Sequence, residues 1–383
     1  MNAVDLARQY HDNFSRFASD LYPGVYTLDR CRELAELAIQ IRARAAEKHS
    51  FIAAHNYLPP EFHELADLVG DSLELSREVD RRKAPRVDFQ SVFFMGATAK
   101  IISGDKTRVF VPDTPDALGC SLVFGTNHAW IEKWKRLHPN GVVITYINSD
   151  AYLKSISDYI CTSGNTDRVI AVAAKEHPTS QILVCPDKFL GYVMRTKAAN
   201  QFGVDPKRVD VYMESFNGFH ACCYVHEKIG EHVIENAMDD DPDAELIIHP
   251  ECGCANSCLM KLNAGVIPKE RAYFLSTSQM LERARVSPAK RFLIATESGM
   301  IYRLRKAMPE KEFVPVSDQA VCKFMKANSF EKLLVSLEQD RIEIVLCDDC
   351  CDPRNPISNE REVHIQKSIA AQAKLGINRM LAI

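Results

Sequence analysis

The 383-residue chain has no apolar run near the roughly 20 residues needed to span a bilayer, so a transmembrane protein is not expected. Its first ten residues, Met1 to Tyr10, show no basic segment followed by an apolar stretch, and no secretory signal peptide is expected. Charge of one sign is missing too: 47 Lys and Arg against 51 Asp and Glu leave a formal net charge of −4. That balance gives no electrostatic reason to expect nucleic acid, and no basic patch or helix-turn-helix signal supplies one. Together these absences point to a soluble, cytoplasmic protein.

Cysteine is abundant. Thirteen are many for a reducing compartment, where disulfides rarely persist, and an odd number cannot pair off. Cys31, Cys161 and Cys185 read as small core hydrophobes. Metal ligation is the better account of some of the others.

A pattern repeats three times. Each repeat opens with an apolar run that breaks into polar residues: Ser50 to Tyr57, Val142 to Asn148 and Ala244 to Glu251. A second run ends in small hydroxyl residues, at Ser72, Ser163 and Ser276-Thr277. A third follows (Val92 to Gly96, Ile182 to Asp187, Phe292 to Glu297), then a fourth (Val109 to Asp113, Val209 to Ser215, Phe313 to Ser317). Shortly afterwards comes a cysteine: Cys120, Cys223 or Cys322. Self-similarity at this scale means repeated structural units. If the units pack around a common axis, the three thiolates meet and make a metal site.

Stretches of helical period, Leu73 to Arg81, Arg168 to Lys175 and Met280 to Arg285, alternate with the apolar runs. The class is therefore α/β: three similar αβα domains with parallel sheets, related by pseudo-threefold symmetry. The active site falls at their central interface, beyond the carboxyl ends of the strands. Leu34, Leu37, Ala38, Ile41 and Ala45 recur at helix spacing, so residues 1–48 form a helical extension. The repeats follow at 49–125, 126–226 and 227–330, then a loop-rich segment at 331–357. A helix at 358–383, with Ile365, Ile369 and Ala373 on its apolar face, completes the first repeat. The hydroxyl residues are expected to cap helices, whose N-termini carry spare donors and bind anions.

The order of short motifs resembles the quinolinate synthase family. Ala54-His-Asn-Tyr-Leu-Pro-Pro60 and Ala66-Asp-Leu-Val-Gly-Asp-Ser-Leu-Glu-Leu75 come first, then Gly119-Cys-Ser-Leu122, Tyr146-Ile-Asn-Ser149 and Cys161-Thr-Ser163. Pro186-Asp-Lys-Phe-Leu-Gly191, Cys223-Tyr-Val-His226, His249-Pro-Glu-Cys252 and Ser276-Thr-Ser-Gln-Met280 continue it. Ala295-Thr-Glu-Ser-Gly-Met-Ile-Tyr-Arg-Leu304 and Ala320-Val-Cys-Lys-Phe-Met-Lys326 close it.

The resemblance implies a [4Fe–4S] cluster on Cys120, Cys223 and Cys322, with Cys222 a packed neighbour of Cys223. Three ligands leave one iron open as a Lewis acid. It implies condensation of iminoaspartate with dihydroxyacetone phosphate to quinolinate in NAD biosynthesis, the iminoaspartate supplied by L-aspartate oxidase or aspartate dehydrogenase. Substrate contacts are implied at His55, Ser72, Tyr146, Ile147, Asn148, Ser163, His249, Pro250, Glu251, Ser276 and Thr277. Tyr57 and Glu251 are the acid–base pair, with His249 beside them. The family's Phe-Met-Ala-Glu-Thr-Ala-Lys in the third strand reads Phe94-Met-Gly-Ala-Thr-Ala-Lys100 here, so Ala97 removes a carboxylate. A relative acting on a different keto-acid pair would fit that change. A non-catalytic iron–sulfur redox sensor of the same fold is the rival from another class. Cys252, Cys254 and Cys258, and Cys347, Cys350 and Cys351, remain as surplus thiols, weak as zinc signatures.

Overall fold

A computed structural model describes residues 2–348, 350, 352, 354 and 357–383; Cys351 therefore lies outside the described residues. Helices Ala3–Phe17 and Leu28–Glu47 come first, and the second buries Leu34, Ala38, Ile41 and Ala45. The strands then fall into three sheets. In the first, β1 (Ser50–His55), β2 (Leu68–Gly70), β3 (Arg86–Gln90) and β4 (Arg108–Phe110) lie in the order β2-β1-β3-β4. The second holds β5 (Val142–Tyr146), β6 (Tyr159–Cys161), β7 (Ile182–Cys185) and β8 (Val209–Val211), ordered β6-β5-β7-β8. The third holds β9 (Glu245–Ile248), β10 (Ala272–Phe274), β11 (Arg291–Ala295) and β12 (Glu312–Pro315), ordered β10-β9-β11-β12. The threefold sequence pattern is thus one strand order used three times.

The first sheet goes further than its counterparts. β13 (Glu343–Cys347) pairs antiparallel with β4, and β14 (Glu362–Gln366) pairs parallel with β13. Residues 331–357, expected to be loop-rich, thus carry most of helix Phe330–Gln339 and all of β13. Ile365, expected on the final helix, is buried in β14, and the helix begins at Lys367.

Two further expectations are corrected. The third strand of the first repeat is Arg86–Gln90, and the apolar run from Val92 is instead the start of helix Phe93–Ser103. Arg86, Asp88 and Gln90 hide that strand from a reading by hydrophobicity, because its polar side chains are buried together. Arg86 Nε lies 2.7 Å from Asp88 Oδ2, and its guanidinium sits 3.7 Å over the Phe110 ring. Ala97 consequently lies buried on a helix, not on a strand.

The described residues form two compact units. One comprises 1–119, 297–313 and 321–367, with the first sheet; the other comprises 120–296, 314–320 and 368–383, with the second sheet and most of the third. In each sheet the order reverses between its first and third strands. A ligand crevice forms beyond the carboxyl ends of strands at such a switch point. No helix among the described residues is long and apolar enough to cross a membrane.

Candidate functional site

At the switch points the chain leaves the sheet through one small device. His55 ends β1, and its Nδ1 accepts the Tyr57 backbone N–H at 3.2 Å. His249 follows β9, and its Nδ1 accepts the Glu251 N–H at 3.4 Å. With Nδ1 accepting, each ring carries its proton on Nε2. Tyr146 and Asn148 hold the same two places after β5.

In the second unit this device builds a dry, proton-rich cluster. Glu251 Oε2 lies 3.3 Å from both His226 Nδ1 and His249 Nδ1, with side-chain exposures of only 3%, 2% and 4% respectively. The two imidazoles stack, centroids 4.7 Å apart. Asn148 Nδ2 donates to Glu251 Oε1 at 3.5 Å, while Asn148 Oδ1 is buried without a hydrogen-bond partner. Burial, then the charge of Asp187, holds the Glu251 carboxyl well above the usual carboxylate range; hydrogen bonds from Tyr146 and Asn148 oppose this. Burial pulls His226 down to about 3. The arrangement is a buried carboxyl held toward its acid form beside a His226 ring held toward its neutral form, a pairing suited to proton transfer. His226 carried no assigned role in the sequence, although it sits in a quoted motif; its Nε2 lies 3.1 Å from Thr296 Oγ1.

The corresponding edge of the first unit is cationic. Arg303 binds Asn56 Oδ1, and Lys326 Nζ donates to the Tyr57 carbonyl and lies 3.1 Å from Glu297. Burial lowers His55 to about 3, with Arg303 and Lys326 adding to the effect. The Tyr57 ring meets His55 edge-on at 4.8 Å. A Cβ on Gly299 would come within 2.7 Å of both Lys326 Nζ and Glu297 Oε2, so only glycine leaves room for that pair. Gln90, at the end of β3, is fully buried with neither amide atom bonded. Nothing in the sequence pattern singled it out.

The hydroxyl residues divide. Ser276 caps its helix with a full capping box to Gln279. Ser72 is instead the first helical residue behind an Asp71 cap, and Ser163 precedes the Asn165 cap by two positions. Within the second unit, a Cβ at Gly164 would lie 3.2 Å from Ser276 Oγ, which brings Ser163 and the Ser276-Thr277 turn together. Ile147 and Pro250 are buried between the paired site positions.

Of the ten free cysteines among the described residues, only Cys120, Cys223 and Cys322 are partly exposed. Cys222 is buried, and Cys31, Cys161 and Cys185 are core residues as expected. Two of the three exposed thiols are held alike. The Cys223 N–H donates to Asp187 Oδ2 and the Cys322 N–H to Glu297 Oε1, both at 3.1 Å, from carboxylates just beyond β7 and β11. In the first repeat that position is Val92, which carries no carboxylate. Lys154, buried and drawn down to about 7 by desolvation, feels Asp150 and then Cys120 as opposing charges. Accessible thiols on fixed backbone suit the donor set of an iron–sulfur cluster. Cys252, Cys254 and Cys258 are buried, and the Cys252 Sγ donates to the Ala295 carbonyl at 3.2 Å. Burial raises the Cys252 thiol, and hydrogen bonding within the group raises its two neighbours, so these thiols stay protonated.

Known proteins are similar to this chain along most of its length. Residues 39–382 match the family model described as quinolinate synthetase A protein. The chain is 39% identical over 335 residues to the quinolinate synthase of Pyrobaculum aerophilum, covering 87% of this chain and 95% of that one. It is 36% identical to those of Mycolicibacterium paratuberculosis (91% and 89% covered) and Mycobacterium tuberculosis (90% and 88%). A family model matching nearly the whole chain, and relatives aligned over most of both lengths, leave one conclusion: the chain belongs to the quinolinate synthase family.

Proposed function

We propose that the chain condenses iminoaspartate with dihydroxyacetone phosphate to give quinolinate, phosphate and two waters, in the cytoplasm, for NAD biosynthesis. Its iminoaspartate comes from L-aspartate oxidase or aspartate dehydrogenase. The observation that carries this reading is the buried Glu251, its carboxyl held well above the usual carboxylate range beside His226, His249, Tyr146 and Asn148. A redox sensor has no use for such a group.

Cys120, Cys223 and Cys322 are the ligands of a [4Fe–4S] cluster, which when bound supplies an open iron as Lewis acid. The chain's own residues do the rest. Asp187 and Glu297 fix the backbone of two of the cysteines. The Nε2–H groups of His55 and His249 are donors for substrate carboxylate or carbonyl oxygens. Arg303 and Lys326 give the first unit's edge the charge that favours an anion. Asn148 Oδ1 is an acceptor waiting for an N–H or O–H. Ser72, Ser163, Ser276 and Thr277 hold anionic groups at or near helix N-termini. Glu251 delivers and retrieves the protons of dehydration and ring closure, with Tyr57 as its acid–base counterpart.

The test is anaerobic purification followed by assay of quinolinate from dihydroxyacetone phosphate and freshly generated iminoaspartate. Product formation lost in Glu251→Gln supports the reading. An iron-loaded protein that makes no quinolinate refutes it and favours the sensor.

A further inference from the structure

The surplus thiols at the chain's end have a partner that the sequence did not reveal. Cys347 closes β13, Cys350 follows three residues on, and His364 lies on the neighbouring β14. One ligand atom from each lies within 4.8 Å of the others, and Cys350 Sγ is 3.3 Å from His364 Nδ1. Sulfur and nitrogen ligands of one tetrahedral zinc stand roughly 3.5 Å apart, from bond lengths of about 2.3 and 2.0 Å. The other ring nitrogen is also occupied in the right way. His364 Nε2 lies 2.8 Å from Glu362 Oε1, and a carboxylate accepting there fixes the tautomer that leaves Nδ1 free to ligate.

We propose that Cys347, Cys350 and His364 bind a zinc ion, distinct from the cysteines assigned to the iron–sulfur cluster. Two thiols and an imidazole are a soft donor set, which selects zinc over magnesium or calcium. The fourth position goes to water. In the structure the two sulfurs form a disulfide. The metal therefore binds the dithiol form, each thiol giving up its proton as its bond to zinc forms.

The fold gives such a clip a task. β13 and β14 run parallel, and a parallel connection ordinarily spans a dozen or more residues through a helix. Here no helix is seen among the described residues of 348–361. β14 is also the outermost strand of its sheet. A metal that ties the end of β13 and Cys350 to the middle of β14 fastens both. The site does not depend on the reaction proposed above.

The test uses the full chain, produced with added zinc, kept under a phosphine reductant and analysed for zinc and iron together. About one zinc per chain is expected, lost in Cys350→Ser and in His364→Asn while the iron content stays unchanged. No zinc in the reduced wild-type protein overturns the proposal, as does zinc retained by both variants. X-ray absorption at the zinc edge of the wild-type protein tests the ligands without relying on a variant's folding. Two sulfur neighbours at about 2.3 Å support the site, and a shell of nitrogen and oxygen alone overturns it.

Discussion

The turns after β1 and β9 share a backbone device and differ in chemistry. In both, a histidine at the strand end accepts the N–H two residues on. Around His55 the neighbours are Arg303 and Lys326; around His249 they are Glu251, Asp187 and a second imidazole. One edge gathers cations, and the other holds a carboxyl toward its acid form. Repetition supplied the scaffold, and the residues packed behind each turn decided its use. The cysteines teach the same lesson: Cys223 and Cys322 share a carboxylate clamp, while the matching position of the first repeat is Val92.

The largest expected effect ignores the difference between the edges. Changing Cys120, Cys223 or Cys322 singly to alanine should abolish both activity and the brown colour of a protein that otherwise carries about four irons per chain. Cys254→Ala and Cys258→Ala should keep both. Iron retained in Cys223→Ala but lost in Cys222→Ala would transfer the ligand role to the neighbour.

Next in size, Glu251→Gln should lower kcat about 10²-fold or more with little change in KM, and Tyr57→Phe should act similarly. A loss confined to KM would erase the distinction between holding and protonating. His55→Ala removes one charge-assisted hydrogen bond, worth about 1.5–3 kcal/mol. It should raise KM about 10- to 100-fold and spare kcat; equal losses in kcat would place chemistry at the cationic edge too.

The smallest effect is in stability. A carboxyl whose folded pKa is raised favours the fold while protonated. That contribution is complete below the ordinary carboxylate range and is lost as pH rises through the raised value. Glu251→Gln escapes the loss. Its melting temperature should therefore gain on wild type as pH rises above the ordinary carboxylate range, by about 2–4 °C for each kcal/mol. A difference that does not change with pH would mean that Glu251 is not held protonated.

The strand order and the three partly exposed cysteines were legible because they rest on local signals. Apolar runs mark β5, β7, β9 and β11, and the cysteines recur at matching places. β3 escaped because Arg86 and Asp88 neutralise each other inside the protein, a pairing no one-dimensional pattern displays. The anion sites were legible only in part: Ser276 caps a helix, but Asp71 and Asn165 take that place in the other repeats. His226, Asp187 and Glu297 stood inside quoted motifs, yet their roles come from contacts between residues far apart in the chain. Gln90 gave no signal at all, since an unbonded amide is visible only once its surroundings are known.

The long-range pairing of β4 has a consequence for how the protein is made. Its outer edge is bonded by residues from near the end of the chain, with Val111 and Ile342 exchanging backbone hydrogen bonds at 3.0 and 3.2 Å. On the ribosome, the 119 residues that begin the first unit must wait for segments 297–313 and 321–367 before that unit can close. The second unit, whose main segment is the continuous stretch 120–296, is synthesised during that wait. Until Ile342 emerges, the nascent chain carries an open β-edge, the kind of surface that pairs with other chains. A chain released before residue 342 should therefore run as large aggregates on a sizing column, and a monodisperse fragment would show that the edge is protected by other means. Translation of the last third thus completes the first.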